Sequence, residues 1–321
     1  MEILEAGFLT TVQDAGRAGR AAEGFSECGA CDPLSYRVCE LAAGNARSLA
    51  ALEFTVVGPR LRFDEDAVFA LAGPALRAKL DGAPVPAHEA MFAPAGSVLD
   101  AGAMESGMRG YLSVRGGFRV PAVSGSFSTD LKCGIGGFEG RKLKRGDRLS
   151  CGPCGRDLLG PIRAAAEKCA ARVPRPEGAL GILPGPDDGL FPKGALRTLT
   201  GAAYTVRNDS GRMGMRLDGP SVLPEGAAAD ILSGGIVPGC VEISSDGRPI
   251  VMLADCQTTG GYARIACVIP TDLPLAAQAR PGDPVRFRAV TRRHALRELK
   301  KTESALREWQ EELERSIACS R

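Results

Sequence analysis

The chain has 321 residues, 44% of them apolar and 24% charged, enough for a sizeable buried core and suggestive of two domains of ordinary size. Forty Lys and Arg against 38 Asp and Glu leave a formal charge of +2, which argues against a nucleic-acid or anionic-membrane partner. No apolar run approaches the ~20 residues of a membrane helix. The start, Met1-Glu-Ile-Leu-Glu, lacks a basic leader, so a cytoplasmic protein is expected.

Taken in order, the chain reads as mainly β. Forty-one glycines and 22 prolines punctuate short apolar runs such as Leu61–Phe63, Ala67–Ala72, Gly110–Val114, Tyr204–Val206 and Pro284–Phe287. Frequent turns between short strands point to barrels or sandwiches. Asp81-Gly82 and Asp246-Gly247 are matched turn signals. Helices are few. Asp32 is a good N-cap for a helix over Pro33–Ala43 ending at Gly44, and a second, shorter one fits within Arg156–Arg172. Pro174-x-Pro176 reads as a linker, giving domains 1–175 and 176–290. Over His294–Ile317, Leu299, Leu306 and Leu313 recur every seven residues among charged ones. That marks 291–321 as an amphipathic helical tail expected to pack on the body.

Eleven cysteines include Cys28/Cys31 and Cys151/Cys154 at Cys-x-x-Cys spacing. The pairs lie far apart without a knuckle around either, so thiols without a metal are expected. No phosphate-cradling Gly-x-x-x-x-Gly-Lys loop and no Gly-x-Ser-x-Gly occur, and His88 and His294 are the only histidines, which disfavours a serine triad.

The densest polar stretch is Asp255–Tyr262, between the apolar runs Val251–Ala254 and Ile265–Ile269. It reads as a turn held by two buried strands, with Gly260-Gly261 free to approach a ligand or adopt positive φ. Asp255, Gln257, Thr258 and Thr259, with Tyr262, match the one donor and one acceptor of a lactam or ureido group. Arg212 is the candidate for the oxyanion side, and Arg216 adds positive charge for a carboxylate or an intermediate. Asp32 and Glu53 are candidates to orient these arginines or act as a base, and Ser128, Thr129 and Asn45 are further candidates for binding substrate. Buried Asp14 and Glu53 need partners, and Arg17 or Arg109 is expected to supply one. This composition suits a lactam and a biotin ring equally.

Several segments together carry a resemblance: Thr10-Thr-Val-Gln-Asp-x-Gly-Arg17, Leu52-Glu-x-Thr-x-x-Gly-Pro59, Tyr111-Leu-x-Val-x-Gly-Gly117, Gly125-Ser-x-Ser-Thr129, Arg212-Met-Gly-Met-Arg-Leu-Asp-Gly219 and Asp255-x-Gln-Thr-Thr-Gly-Gly-Tyr262. In this order they resemble the biotin-dependent carboxyltransferase family, also called the allophanate hydrolase subunit 2 family, which includes the C subunit of 5-oxoprolinase. The resemblance implies two cyclophilin-like β-barrel domains. It implies one component of an ATP-dependent 5-oxoprolinase, opening 5-oxoproline to glutamate with B-like and A-like partner subunits. ATP would then act through the complex. The alternatives it leaves are a biotin-dependent carboxyltransferase component of a urea carboxylase-like system and a non-catalytic regulator that binds a kinase inhibitor. The sequence departs from the family pattern where Ser-Gly-Ala-Met-Asp reads Cys28-Gly-Ala-Cys-Asp32, which keeps the aspartate. It departs again where Glu242 replaces a glutamine and Gly181 an arginine.

Overall fold

A computed structural model describes residues 1–225 and 230–320. The chain divides into two compact units. The first comprises Met1–Arg17, Cys28–Pro174 and the chain from Thr302 on; the second comprises Ala18–Glu27 and Arg175–Lys301. Among the described residues no helix is long and apolar enough to cross a membrane.

The first unit runs β1 (Glu2–Glu5), β2 (Leu9–Gln13), α1 (Pro33–Ala42), β3 (Ala51–Thr55), β4 (Arg60–Arg62), β5 (Ala67–Ala72), β6 (Lys79–Leu80) and β7 (Ala83–Pro84). It continues with β8 (Met91–Ala93), β9 (Val98–Asp100), β10 (Arg109–Val114), β11 (Phe118–Arg119), β12 (Ser150–Cys151) and α2 (Leu159–Cys169). Two five-stranded sheets result, ordered β1-β4-β9-β6-β7 and β2-β3-β10-β5-β8, with β11 and β12 paired separately.

Strand periodicity builds the layers, since alternate residues face opposite sides. Leu52, Phe54, Phe69, Leu71, Leu112 and Val114 join Ile3, Leu61 and Leu99 of the other sheet in one buried cluster. Their neighbours Ala51, Val68, Ala70, Ala72 and Tyr111 face a second cluster, made with helix residues Tyr36, Leu41, Ile162 and Ala165. Alanines on that face let α1 lie close.

Helix α1 is capped as its sequence indicates. The Asp32 carboxylate accepts from Ser35 N at 2.9 Å, and Pro33 opens the first turn. At the other end Gly44 (φ +87°) donates to Leu41 O and Asn45 N to Glu40 O, a Schellman closure that needs the left-handed residue. Asp81 and Gly82, both at positive φ, form the two-residue turn joining β6 to β7.

The second unit contains β13 (Leu180–Pro184), α3 (Ala195–Gly201), β14 (Ala203–Val206), β15 (Gly214–Asp218), β16 (Asp230–Gly235) and β17 (Cys240–Ile243). It continues with β18 (Pro249–Met252), β19 (Thr259–Val268), α4 (Leu273–Gln278) and β20 (Pro284–Ala289). Seven strands, β13-β20-β14-β15-β18-β17-β19, close on themselves through the β13–β19 pairing, and β16 attaches to β19 outside the ring. The architecture is mainly β, as expected. Met215, Val251 and Val241 sit in register on adjacent strands and are buried, while the alternate residues Cys240, Ile250 and Met252 cluster with Ile236 and Cys256.

Helix α5 (Arg292–Ala318) ends the chain. Within the first unit its Trp309 and Leu313 are fully buried, with Ala305 beside them, so this part of the tail packs into the first unit's core.

One expectation is corrected. The polar turn is shorter than Asp255–Tyr262: β18 ends at Met252 and β19 begins at Thr259, leaving 253–258 as the loop. Gly260 and Gly261 are strand residues without positive φ. Gly260 is needed for close approach instead, because a Cβ there would lie 2.7 Å from Glu242 Oε1 and 3.1 Å from Gln257 Nε2.

Candidate functional site

In the second unit the loop after β18 is tied to the segment before β15. Leu253 N donates to Met213 O (3.0 Å) and Asp255 N to Arg212 O (2.9 Å). This backbone register brings two side chains into a fork: Arg212 Nε and Nη2 donate to Asp255 Oδ2 and Oδ1 at 2.8 and 2.7 Å. Their side chains are 5% and 12% exposed, so the pair is largely withdrawn from water. With both carboxylate oxygens engaged, Asp255 fixes the plane of Arg212 rather than waiting as an idle base. Gln257 and Thr258 are half-buried, and Thr258 O accepts from Ile236 N (2.9 Å). Thr259 is exposed and Tyr262 half-buried, both on β19. Arg216 is exposed on β15, with Asp209 at 3.7 Å as its ion pair, and points to solvent.

Glu242, in the sequence no more than a departure from the family pattern, stands beside this loop. It is 2% exposed, and its Oε1 has no hydrogen-bond partner among the described residues. Burial pushes its pKa up to about 7, helped by Cys240; the Arg264 charge and the Gln257 amide pull the other way. Arg264 lies opposite Glu242 across β17 and β19, but Asp187 already forks it at 2.6 and 3.1 Å. That explains why a guanidinium so near fails to hold Glu242 ionised. Cys240 and Cys267 face each other on the same strand pair, and their hydrogen bond lowers the Cys240 pKa and raises that of Cys267.

In the first unit Tyr111 joins the Glu53 carboxylate to the backbone amide of Asp32, whose own carboxylate is taken by Ser35 at the start of α1. The Tyr111 hydroxyl donates to Glu53 Oε2 (2.7 Å) and accepts from Asp32 N (2.8 Å), and Cys31 N also donates to Glu53 Oε2 (2.7 Å). Burial, then the Glu53 charge, holds the phenol far above its ordinary pKa. Tyr111 heads the Tyr111–Gly117 segment, and strand pairing sets it opposite Glu53.

Asn45 spends both ends of its amide on backbone, Val114 O and Gly116 N, each at 2.9 Å. Thr129 Oγ1 donates to Val12 O (2.9 Å), and Ser128 Oγ to Asp14. Asp14 takes three more donors, Gly16 N (2.8 Å), Ser126 Oγ (2.6 Å) and Phe127 N (2.7 Å). Arg17 is therefore not its partner. The buried Arg17 guanidinium donates instead to the Ser128 carbonyl.

Fold and residues together define a class. Residues 23–289 match the family profile described as carboxyltransferase domain, subdomain A and B, and the chain belongs to that family. It is 39% identical over 297 residues to the 5-oxoprolinase C subunit of Escherichia coli (strain K12), covering 92% of this chain and 93% of that protein. It is 35% identical to the protein of the same name in Haemophilus influenzae, covering 94% and 95%. The crystal structure of the K. lactis urea amidolyase superposes with a TM-score of 0.86 at 26% identity, over 96% of this chain but only 20% of that longer one.

Proposed function

We propose that the chain is the C subunit of an ATP-dependent 5-oxoprolinase, which opens the lactam of 5-oxoproline to glutamate. The observation that carries this is the 39% identity running along nearly the whole of both chains. A-like and B-like partner subunits complete the enzyme, which works in the cytoplasm, and this chain alone does not turn over. ATP is consumed by the complex, and no residue of this chain is assigned to it. Within the second unit, Arg212, held flat by Asp255, supplies positive charge to the lactam oxygen as charge develops there. Gln257, Thr258 and the strand residues Thr259–Tyr262 line the approach, and Glu242 holds or releases a proton near neutrality. In the first unit Glu53 is held by Tyr111 and by the Cys31 amide, while the Asp32 carboxylate caps α1.

The test is reconstitution. Purified with both partners, the chain should support 5-oxoproline-dependent ATP hydrolysis with release of glutamate. A fully assembled complex without that activity would remove the reading. A second reading, a biotin-dependent carboxyltransferase component, is favoured by the 0.86 TM-score to a urea amidolyase. The unpartnered Glu242 Oε1 beside the Gln257 amide offers one acceptor and one donor, which a ureido ring fits as well as a lactam. Activity abolished by avidin would select it.

A further inference from the structure

Cys240 and Cys267, on adjacent strands of the second unit's barrel, have no assigned role in the proposed activity. They are direct partners in the antiparallel register of β17 and β19. Val268 N donates to Gly239 O (2.8 Å), and Cys240 N turns back to Val237 O (3.1 Å). By the alternation of an antiparallel ladder, the two cysteines then occupy a pair that exchanges no backbone hydrogen bonds. Facing Cα atoms stand ~4.5 Å apart at such pairs, with their side chains on one face, and a disulfide spans ~4.4–6.8 Å. Both residues are free thiols, and the Cys267 thiol donates a hydrogen bond to the Cys240 sulfur. That bond holds Cys240 below the ordinary thiol range and favours its thiolate, the nucleophilic form. Cys240 is buried with Ile236, Ile250, Met252 and Cys256, whereas Cys267 is half-buried, so solvent reaches the pair from the Cys267 side. Burial pushes Cys256, the other thiol of that cluster, up to about 12, and it stays protonated.

We propose that Cys240 and Cys267 are a reversible oxidation site, closed by hydrogen peroxide to a disulfide across β17 and β19. The Cys240 sulfur attacks one oxygen of the peroxide and breaks the O–O bond, giving a sulfenic acid and hydroxide. The Cys267 sulfur then attacks the sulfenic sulfur, and its proton leaves with the displaced hydroxyl as water. The proton given up by Cys240 neutralises the hydroxide. Two thiols and one peroxide thus become one disulfide and two waters, and a small dithiol reverses the step by exchange. Closure pins β17 to β19 two residues before Glu242. The site stands on strand geometry and is read without substrate, ATP or partners, so its failure and the failure of the proposed activity are separate results.

The experiment treats the purified, folded chain with hydrogen peroxide, unfolds it in iodoacetamide to block the remaining thiols, and maps the peptides by mass spectrometry. A peptide pair joining Cys240 to Cys267, lighter by two hydrogens than its parts and lost on treatment with dithiothreitol, is expected. Cys267→Ser removes the resolving thiol. In that chain peroxide should leave Cys240 as a sulfenic acid trapped by dimedone, which the unaltered chain does not accumulate. Exposed Cys133 and Cys319 are internal standards. Oxidation confined to them, with Cys240 and Cys267 both alkylated, overturns the inference. So does a link from Cys240 to Cys256, or a Cys240–Cys267 link that forms only when the chain is unfolded before peroxide is added. These deciding results come from the unaltered chain and hold whether or not the variant folds.

Discussion

Arg212 and Asp255 act as one object, and either substitution leaves a largely buried partner behind. Arg212→Ala should therefore lower turnover of the assembled enzyme on the order of a hundredfold, as loss of an oxyanion donor does. It should also lower stability by ~3 kcal/mol, because Asp255 is left charged and unpaired. Asp255→Asn, which retains a hydrogen-bond acceptor, should lose activity with a smaller shift in the denaturation midpoint. Equal loss of stability and no loss of turnover in both would make the pair purely structural. Glu242 gives a pH signature. Its folded pKa of about 7 lies above the ordinary 4.5, so the native state holds the proton more tightly than the unfolded chain does. Below pH 4.5 both states are protonated and the group is neutral to stability. As pH rises from 4.5 through about 7, the folded protein progressively loses stability relative to that baseline. Glu242→Gln removes the ionisation, so its Tm should equal that of the parent near pH 4.5 and exceed it above pH 7. A Tm difference independent of pH would show that Glu242 does not titrate in this range.

At the scale of elements, what was legible in the sequence was what local chemistry decides. The Asp32-Pro33 start and Gly44 stop of α1 are capping rules acting within a few residues. The seven-residue leucine spacing of the tail likewise follows from helical periodicity, and α5 is the result. Long-range pairing was not legible. Tyr111 bridges Glu53 and Asp32 only because β3 and β10 align, and nothing near Glu242 in the sequence says that Asp187 will occupy the guanidinium opposite it. The Gly260-Gly261 pair misled because glycine serves turns and close strand contacts alike; which of the two applies depends on Glu242, from another strand. Helix α5 carries its own prediction. Trp309 is fully enclosed, so Trp309→Ala should cost about 3–5 kcal/mol in chemical denaturation. A loss below about 1 kcal/mol would mean that the helix is dispensable to the first unit.

For the molecule as a whole, the mainly β architecture followed from turn density, whereas closure of the ring did not, since no short stretch encodes the β13–β19 pairing. That closure divides β19 into unequal halves. Ala263–Cys267 is paired with β17 and Ala266–Val268 with β13, while Thr259–Tyr262 is paired with β16, which lies outside the ring. One continuous strand thus has one half locked into the barrel and the other held by an outer strand. In hydrogen exchange the amides of 263–268 should open only with global unfolding, and those of 259–262 by a cheaper local route. A ligand gripped by the outer half would then slow exchange there and leave the inner half untouched. Uniform protection along β19 would show instead that the strand opens as one unit.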